Sequence, residues 1–236
     1  MAVIINIETS GKKCSVSVGI DGMVQFHKED SDEMNHSVSL APFVKDCMDY
    51  IKRNDLTLDA VAVSLGPGSY TGLRIGMSLA KGLAFSLSIP LIGVSTLKLI
   101  AVKAMFKDPD WQGTETVIAM SDARRMEVYA GGFNARLQEV LKEQPVILDQ
   151  ESFKDFHGVE KVVFAGDGCE KFKNIYSGSN ALWLPEALAD ALVMAPLTEM
   201  EWQAGNFIDI AYSVPNYLKQ YQTTVPKNKV FNNIKK

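Results

Sequence analysis

Apolar and polar positions alternate in two distinct ways along this chain, and this alternation predicts its secondary structure. Apolar runs and segments of period two predict strands, whereas apolar stripes that recur every three or four residues predict helices. The strand predictions are 2–8, 14–20, 23–28, 58–64, 89–94, 116–120, 126–133, 146–148 and 161–165. The helix predictions are 37–53, 71–87, 95–106 and 197–204. Strands that alternate with helices after an opening three-stranded meander indicate an α/β fold.

A polar segment at 107–115, which contains proline and glycine, predicts a crossing between two lobes. The first lobe is expected to cover 1–106, with a C-terminal helical segment at about 190–218 packing back on it. The second lobe is expected to cover 107–189. A basic tail follows at 219–236, with five lysines and no acidic residue. A solvated tail is the ordinary interpretation, and a contact with RNA phosphates is the functional one.

The most informative segment is a glycine-rich turn that joins a predicted strand to a predicted helix. The turn consists of Gly66, Pro67, Gly68 and Ser69, and small residues then recur four apart at Gly72, Gly76, Ala80 and Ala84. This spacing places the small residues on one helix face, which allows another backbone to approach closely. A glycine turn that opens a helix is also able to bind an anion. The motif is not a P-loop, because no Gly-Lys-Ser/Thr follows. A tight strand-to-helix connection is the alternative interpretation.

Two further clusters carry candidate chemistry. Glu8-Thr9-Ser10 ends the first strand, and an acid followed by hydroxyls can hold Mg²⁺ and phosphate in folds of the sugar-kinase type. A surface turn with a solvated glutamate is an equal alternative. The segment 122–125, Asp-Ala-Arg-Arg, lies where a hairpin turn is expected, and its adjacent arginines are able to bind phosphate or a partner's carboxylate. The alternative there is an Asp–Arg pair that stabilises the hairpin.

Composition argues against several classes of protein. The formal net charge of −4 gives no global attraction to nucleic acid. Cys14, Cys47 and Cys169 are widely spaced, so they suggest neither a zinc site nor a disulfide framework. The N-terminus lacks the features of a signal peptide, and the most apolar stretch, 82–94, is too short to span a bilayer. We therefore expect a cytoplasmic protein with no metal, no cofactor and no membrane contact.

These motifs occur together in the order that is found in one known family. Together they resemble the TsaB (YeaZ) family of tRNA threonylcarbamoyladenosine biosynthesis proteins. The similarity is dense over residues 1–100 and sparse over 135–205. The segments that carry it are 7–10, 36–37, 66–76, 80–84, 122–129 and 215–218.

The resemblance implies an actin-like, two-lobed α/β fold, in which each lobe is a mixed sheet with helices. It also implies a non-catalytic subunit that pairs with a TsaD-like catalytic subunit and a TsaE-like ATPase and that meets tRNA through the complex. No activity is expected of the chain alone, and pairing with a second copy of itself is left open. The resemblance places the two helices 37–53 and 71–87 at the TsaD contact. The interface residues expected there are Leu40, Phe43, Val44, Cys47, Gly72, Gly76, Met77 and Ala80.

The same resemblance implies phosphate-type loops that have degenerated. Actin-like ATPases hold phosphate from both lobes, and Asp122–Arg125 would occupy the hairpin that is typically rich in glycine. The degenerate loops are expected to contain Glu8, Thr9, Ser10, Gly66, Pro67, Gly68, Ser69, Asp122, Arg124 and Arg125. No catalytic residue is predicted. The less favoured alternatives are an actin-like small-molecule kinase, for which no catalytic aspartate is found, and a glycoprotease-like metallopeptidase, for which no metal-ligand pair is found.

Overall fold

The chain folds around two five-stranded mixed sheets. The computed structural model describes residues 2–30, 35–156, 158 and 160–219. The strands of the first sheet are β1 (Val3–Glu8), β2 (Cys14–Ile20), β3 (Met23–Asp30), β4 (Ala60–Gly66) and β5 (Leu91–Ser95). Their order is β3-β2-β1-β4-β5: β1, β2 and β3 form an antiparallel meander, β4 lies parallel to β1, and β5 lies parallel to β4.

The second sheet repeats the topology of the first. Its strands are β6 (Thr116–Asp122), β7 (Glu127–Phe133), β8 (Glu139–Ile147), β9 (Val162–Ala165) and β10 (Ala181–Leu184). Their order is β10-β9-β6-β7-β8, again a three-stranded antiparallel meander followed by two parallel strands. The duplication is visible only in the topology, because the sequence shows no repeat of fixed period.

Five α-helices connect and cover the strands of the described chain. They are α1 (His36–Arg53), α2 (Tyr70–Leu87), α3 (Thr96–Lys107), α4 (Cys169–Lys173) and α5 (Met194–Gln203). The Ser69 hydroxyl caps α2 by accepting from the Gly72 N–H, and the Ser95 hydroxyl caps α3 by accepting from the Leu97 N–H. Serine is favoured at these positions because it satisfies N–H groups that have no partner inside the helix.

Alternate residues of the first sheet enter two different cores. Ile5 and Val63 face α1 and α2, whereas Ile4 and Ala62 face α3 and α5. This division follows from the period of two in strands. Helix α3 also packs on β6, β7 and β9, so one continuous core joins the two sheets.

The α/β prediction and most of the predicted elements are confirmed. The exceptions are β8, which begins at 139 and not at 146, α5, which begins at 194 and not at 197, and the short elements α4 and β10, which the pattern did not indicate. The lobe boundaries stay a prediction, because α3 packs on both sheets. The predicted basic tail, apart from Lys219, lies outside the described residues. Among the helices of the described residues, none has the length and apolar character needed to cross a membrane.

Candidate functional site

The turn between β1 and β2 packs against the start of α2. The Thr9 hydroxyl donates a hydrogen bond to the Gly72 carbonyl over 2.8 Å, and the Ser69 N–H donates to the Ser10 carbonyl over 2.7 Å. Thr9 and Ser10 are both buried. The first predicted phosphate-type loop is therefore occupied by contacts within the chain.

Glycines in and after the Gly66–Ser69 turn are explained by this packing. A Cβ atom at Gly72 would lie 2.1 Å from the Thr9 carbonyl oxygen, and one at Gly76 would lie 2.3 Å from the Thr9 hydroxyl. At Gly68, a Cβ would lie 2.3 Å from the Ser10 carbonyl oxygen. The small-residue face thus accommodates the chain's own turn, and no external backbone is needed to account for it.

Glu8 is buried at the end of β1. Its Oε1 atom accepts hydrogen bonds from the N–H and the hydroxyl of Ser10, while Oε2 has no partner among the described residues. Burial raises the pKa of this carboxyl, although the Ser10 hydrogen bonds act in the opposite direction. Glu8 is thus not the solvated glutamate of a surface turn.

The side chains predicted for the partner interface lie mostly inside the first lobe, and that prediction is corrected. Five of them belong to the core between α1, α2 and the sheet, Phe43 is partly buried against that core, and Gly72 and Gly76 lie under Thr9. The five core residues are Leu40, Val44, Cys47, Met77 and Ala80. An apolar or small-residue stripe marks the helix face that is buried, and here the chain's own sheet and turn bury it. The face of α2 that remains exposed contains Thr71, Arg74, Ser78, Gly82 and Phe85.

The β6–β7 hairpin holds two consecutive arginines in the left-handed backbone region. Arg124 has a φ of 70° and Arg125 a φ of 52°, a conformation that side chains larger than glycine seldom adopt. The Glu127 N–H donates to the Arg124 carbonyl over 3.2 Å and closes the turn. Strain of this kind is concentrated at functional sites, which makes the hairpin a candidate.

Asp122 pairs with a lysine and not with either arginine. Lys171 Nζ lies 2.8 Å from Asp122 Oδ1, which also accepts from the Arg124 N–H. Partial burial acts to raise the pKa of Asp122, but these two hydrogen bonds lower it overall. Within the described part of the chain, neither the Arg124 nor the Arg125 guanidinium has a hydrogen-bond or ion-pair partner. The Asp–Arg alternative is therefore wrong, and two cations remain available.

A cleft of about 730 Å³ separates the hairpin from the N-terminus of α2. Five of the predicted loop residues line it, namely Pro67, Gly68, Asp122, Arg124 and Arg125. Glu8, Thr9, Ser10, Gly66 and Ser69 do not line it. The structure thus joins the predicted hairpin to half of the glycine turn, while the β1 residues remain in the core.

The terminal segment 205–219 forms a strap along α2, which the helix and strand patterns did not reveal. Lys81 Nζ donates to the carbonyls of Ala211 and Ser213, each over 2.9 Å. The Asn216 N–H donates to the Leu65 carbonyl over 2.7 Å. The strap thereby carries the chain from the end of α2 towards its N-terminus and into the cleft. The sequence signals for it were the predicted return of the segment at about 190–218 to the first lobe, which was expected to be helical, and the Pro215–Leu218 motif of the family resemblance.

The strap contributes the aromatic ring of Tyr217 and the positive charge of Lys219 to the cleft. The Tyr217 hydroxyl accepts from Arg74 Nε over 3.1 Å, and its ring lies 5.1 Å from the ring of Tyr70. The Arg74 guanidinium lies 4.0 Å from the centre of the Tyr70 ring. Lys219 Nζ lies 2.6 Å from Glu127 Oε2, so the strap also joins the first sheet to the second.

The family described as TsaD, tRNA N6-adenosine threonylcarbamoyltransferase, matches residues 30–230. The tRNA threonylcarbamoyladenosine biosynthesis protein TsaB of Escherichia coli K12 is 39% identical over 126 residues, which cover 53% of this chain and 52% of that protein. TsaB of Bacillus subtilis 168 is 38% identical over 117 residues, 48% of each chain. The match thus spans about half the length of these two relatives. TsaB of Haemophilus influenzae Rd is 26% identical over 231 residues, 93% of this chain and 94% of that one.

Two solved structures also match this chain, and they do so over nearly its whole length. YeaZ from Pseudomonas aeruginosa superposes with a TM-score of 0.79 at 26% identity, covering 92% of this chain and all of that one. A second structure, of a protein with similarity to peptidase YEAZ from Pseudomonas aeruginosa, has a TM-score of 0.80 at 26% identity and covers 93% of this chain. With the duplicated topology, this similarity confirms the predicted actin-like α/β fold.

Proposed function

This chain belongs to the family described as TsaD, tRNA N6-adenosine threonylcarbamoyltransferase, and to its TsaB (YeaZ) group, and from that premise we propose that it is a non-catalytic scaffold subunit of a tRNA threonylcarbamoyladenosine transferase. Its role is to pair with a TsaD-like catalytic subunit, to work with a TsaE-like ATPase, and to meet tRNA through that complex. The relatives named TsaB, which are described as biosynthesis proteins for this nucleoside, support the pathway.

The observation that carries the non-catalytic role is the state of the two phosphate-type loops. In the first lobe, Thr9 and Ser10 pack against α2, and the Glu8 carboxyl is sealed in the core. In the second lobe, the hairpin presents Arg124 and Arg125 where close approach to a nucleotide phosphate would call for bare backbone. A kinase needs both loops open, so this arrangement favours a scaffold.

The exposed face of α1 and α2 is the surface that we assign to the TsaD-like partner. Val38 on α1 and Phe85 on α2 are 69% and 76% exposed. A Cβ at Gly82, on the exposed face of α2, would meet nothing within 4 Å. Glycine inside a helix costs about 1 kcal/mol relative to alanine, and no contact within the described chain requires it here. A closely approaching partner accounts for it, in an interface expected to bury roughly 1,600 Å².

Loss of the modified nucleoside tests the proposed function directly. In a strain that lacks the gene, mass spectrometry of digested tRNA is expected to show no threonylcarbamoyladenosine, and the wild-type gene on a plasmid is expected to restore it. An unchanged level of the nucleoside in the deletion strain would contradict the proposal.

The partner surface is tested by co-purification with the TsaD-like protein of the same organism. Gly82→Glu places a charge in the proposed interface, and an unpaired buried charge costs several kcal/mol. The affinity is therefore expected to fall about a thousandfold, at about 1.4 kcal/mol for each factor of ten. Gln138→Glu, on the exposed β7–β8 turn, is the matched control and is expected to bind normally. A folded Gly82→Glu protein with wild-type affinity would show that this face is not the interface.

A further inference from the structure

The cleft between the lobes carries more positive charge than its acidic residues neutralise. Asp122 is paired with Lys171, and Glu127 is paired with Lys219, at 2.8 Å and 2.6 Å. Both acids that line the cleft are thus already neutralised, while Arg124 and Arg125 have no partner among the described residues. The two exposed guanidinium groups are therefore available to bind an anion from outside the chain.

The opposite wall of the cleft is aromatic. The rings of Tyr70 and Tyr217 lie side by side, and the Arg74 guanidinium stacks on the Tyr70 ring at 4.0 Å from its centre. Aromatic rings next to arginines are the arrangement on which proteins stack the bases of single-stranded nucleic acid. An acidic peptide would use the arginines and would have no need of the rings.

The chain continues from the cleft into a basic segment. Lys219 lies at the edge of the cleft, and residues 220–236 contain four lysines and no acidic residue. Since the whole chain has a net charge of −4, these lysines are a local concentration of cations in the sequence that follows Lys219. A polyanion that extends beyond the cleft suits this arrangement better than a single small anion.

From these three features we propose that the cleft binds a single-stranded segment of RNA, with Arg124 and Arg125 as phosphate contacts and Tyr70 and Tyr217 as the stacking surface. The inference rests on the proposed function only in so far as tRNA would be the source of that segment. A free nucleotide shares the phosphate chemistry, and the experiment separates the two.

The test measures binding of a fluorescein-labelled oligouridylate of about twelve nucleotides to the purified full-length chain by fluorescence anisotropy. Arg124→Gln with Arg125→Gln is expected to weaken binding at least about tenfold near 50 mM salt. Since each phosphate contact on a single strand contributes about 0.7 to the slope of log K against log salt, the slope is expected to fall by about 1.4. Arg124→Lys with Arg125→Lys retains both charges and is expected to keep most of the affinity.

Arg136→Gln is the matched control, because Arg136 is exposed and lies on the turn at the other end of β7. It is expected to bind RNA as the wild type does. The inference is overturned if the oligonucleotide does not bind. It is also overturned if Arg136→Gln weakens RNA binding as much as the double substitution Arg124→Gln with Arg125→Gln. It is also overturned if Mg-ATP or a decaglutamate peptide binds more tightly than the RNA with the same dependence on the two arginines. The binding assay contains no partner protein. A negative result would therefore overturn the RNA site without contradicting the proposed function, which is tested separately by threonylcarbamoyladenosine in the deletion strain.

Discussion

Two glycines of the same helix are expected to respond in opposite directions to the same substitution. Gly72 and Gly82 both lie in α2, and alanine adds one methyl group at either position. At Gly82 the methyl group would meet nothing within 4 Å, whereas at Gly72 it would lie 2.1 Å from the Thr9 carbonyl oxygen. The pair therefore isolates the contact between the β1–β2 turn and α2 from the general effect of removing glycine from a helix.

The magnitudes follow from this geometry. Gly82→Ala is expected to raise the free energy of unfolding by about 1 kcal/mol, the difference between glycine and alanine inside a helix. At Gly72 the turn must move by about 0.9 Å to restore the 3.0 Å limit for a Cβ contact. Overpacking of this kind costs about 1–3 kcal/mol, and loss of the hydrogen bond from Thr9 to the Gly72 carbonyl adds about 1 kcal/mol. Gly72→Ala is thus expected to be less stable than wild type by about 1–3 kcal/mol after the gain in helix propensity.

Urea denaturation followed by circular dichroism measures both variants against wild type. The midpoint is expected to rise for Gly82→Ala and to fall for Gly72→Ala, with little change in the denaturant slope. For a chain of this length, each kcal/mol corresponds to about 2–4 °C in Tm, which gives an independent check. A Gly72→Ala protein as stable as Gly82→Ala would refute the reasoning, because it would mean that the β1–β2 turn does not rest on α2.

Three further predictions concern buried groups of the first lobe and of the α4 region. Ala80→Glu is expected to unfold the isolated protein, because its charge would lie in the core; a variant with a wild-type thermal transition would contradict this. Burial raises the pKa of Glu8 above 4.5, so the folded state keeps a proton that the unfolded state loses, and wild-type stability is expected to fall as pH rises from 4.5 through the raised pKa. Urea midpoints measured from about pH 4 to about pH 8 should show this fall for wild type and not for Glu8→Gln. The same dependence of the midpoint on pH in both proteins would contradict the prediction. Burial raises the pKa of the thiols of Cys14, Cys47 and Cys169 to about 12. A thiol reagent near pH 8 should therefore label these cysteines only in denaturant, and labelling of the native protein would refute their burial.

Local sequence patterns were sufficient to predict the secondary structure wherever a segment had a strong apolar period or a distinctive turn. The meander over 2–30 and the helices 36–53, 70–87 and 96–107 followed from apolar spacing, because this property depends on near neighbours in the chain. The Asp122–Arg125 hairpin was located from its position between two strand-like runs. The short elements α4 and β10 span five and four residues and carry too few positions to show a period.

The amino-acid sequence by itself determined the order of the elements, the family motifs and the candidate loops. Only the tertiary structure decided which face of each helix is buried, since periodicity identifies an apolar stripe but not the surface that covers it. For this reason Met77 and Ala80 were predicted for a partner and lie in the core. The cleft likewise required the fold, because the contact between Arg74 and Tyr217 joins residues that are 143 positions apart. Side-chain partners at such separations are set by the packing of sheets and helices, and no local pattern specifies them.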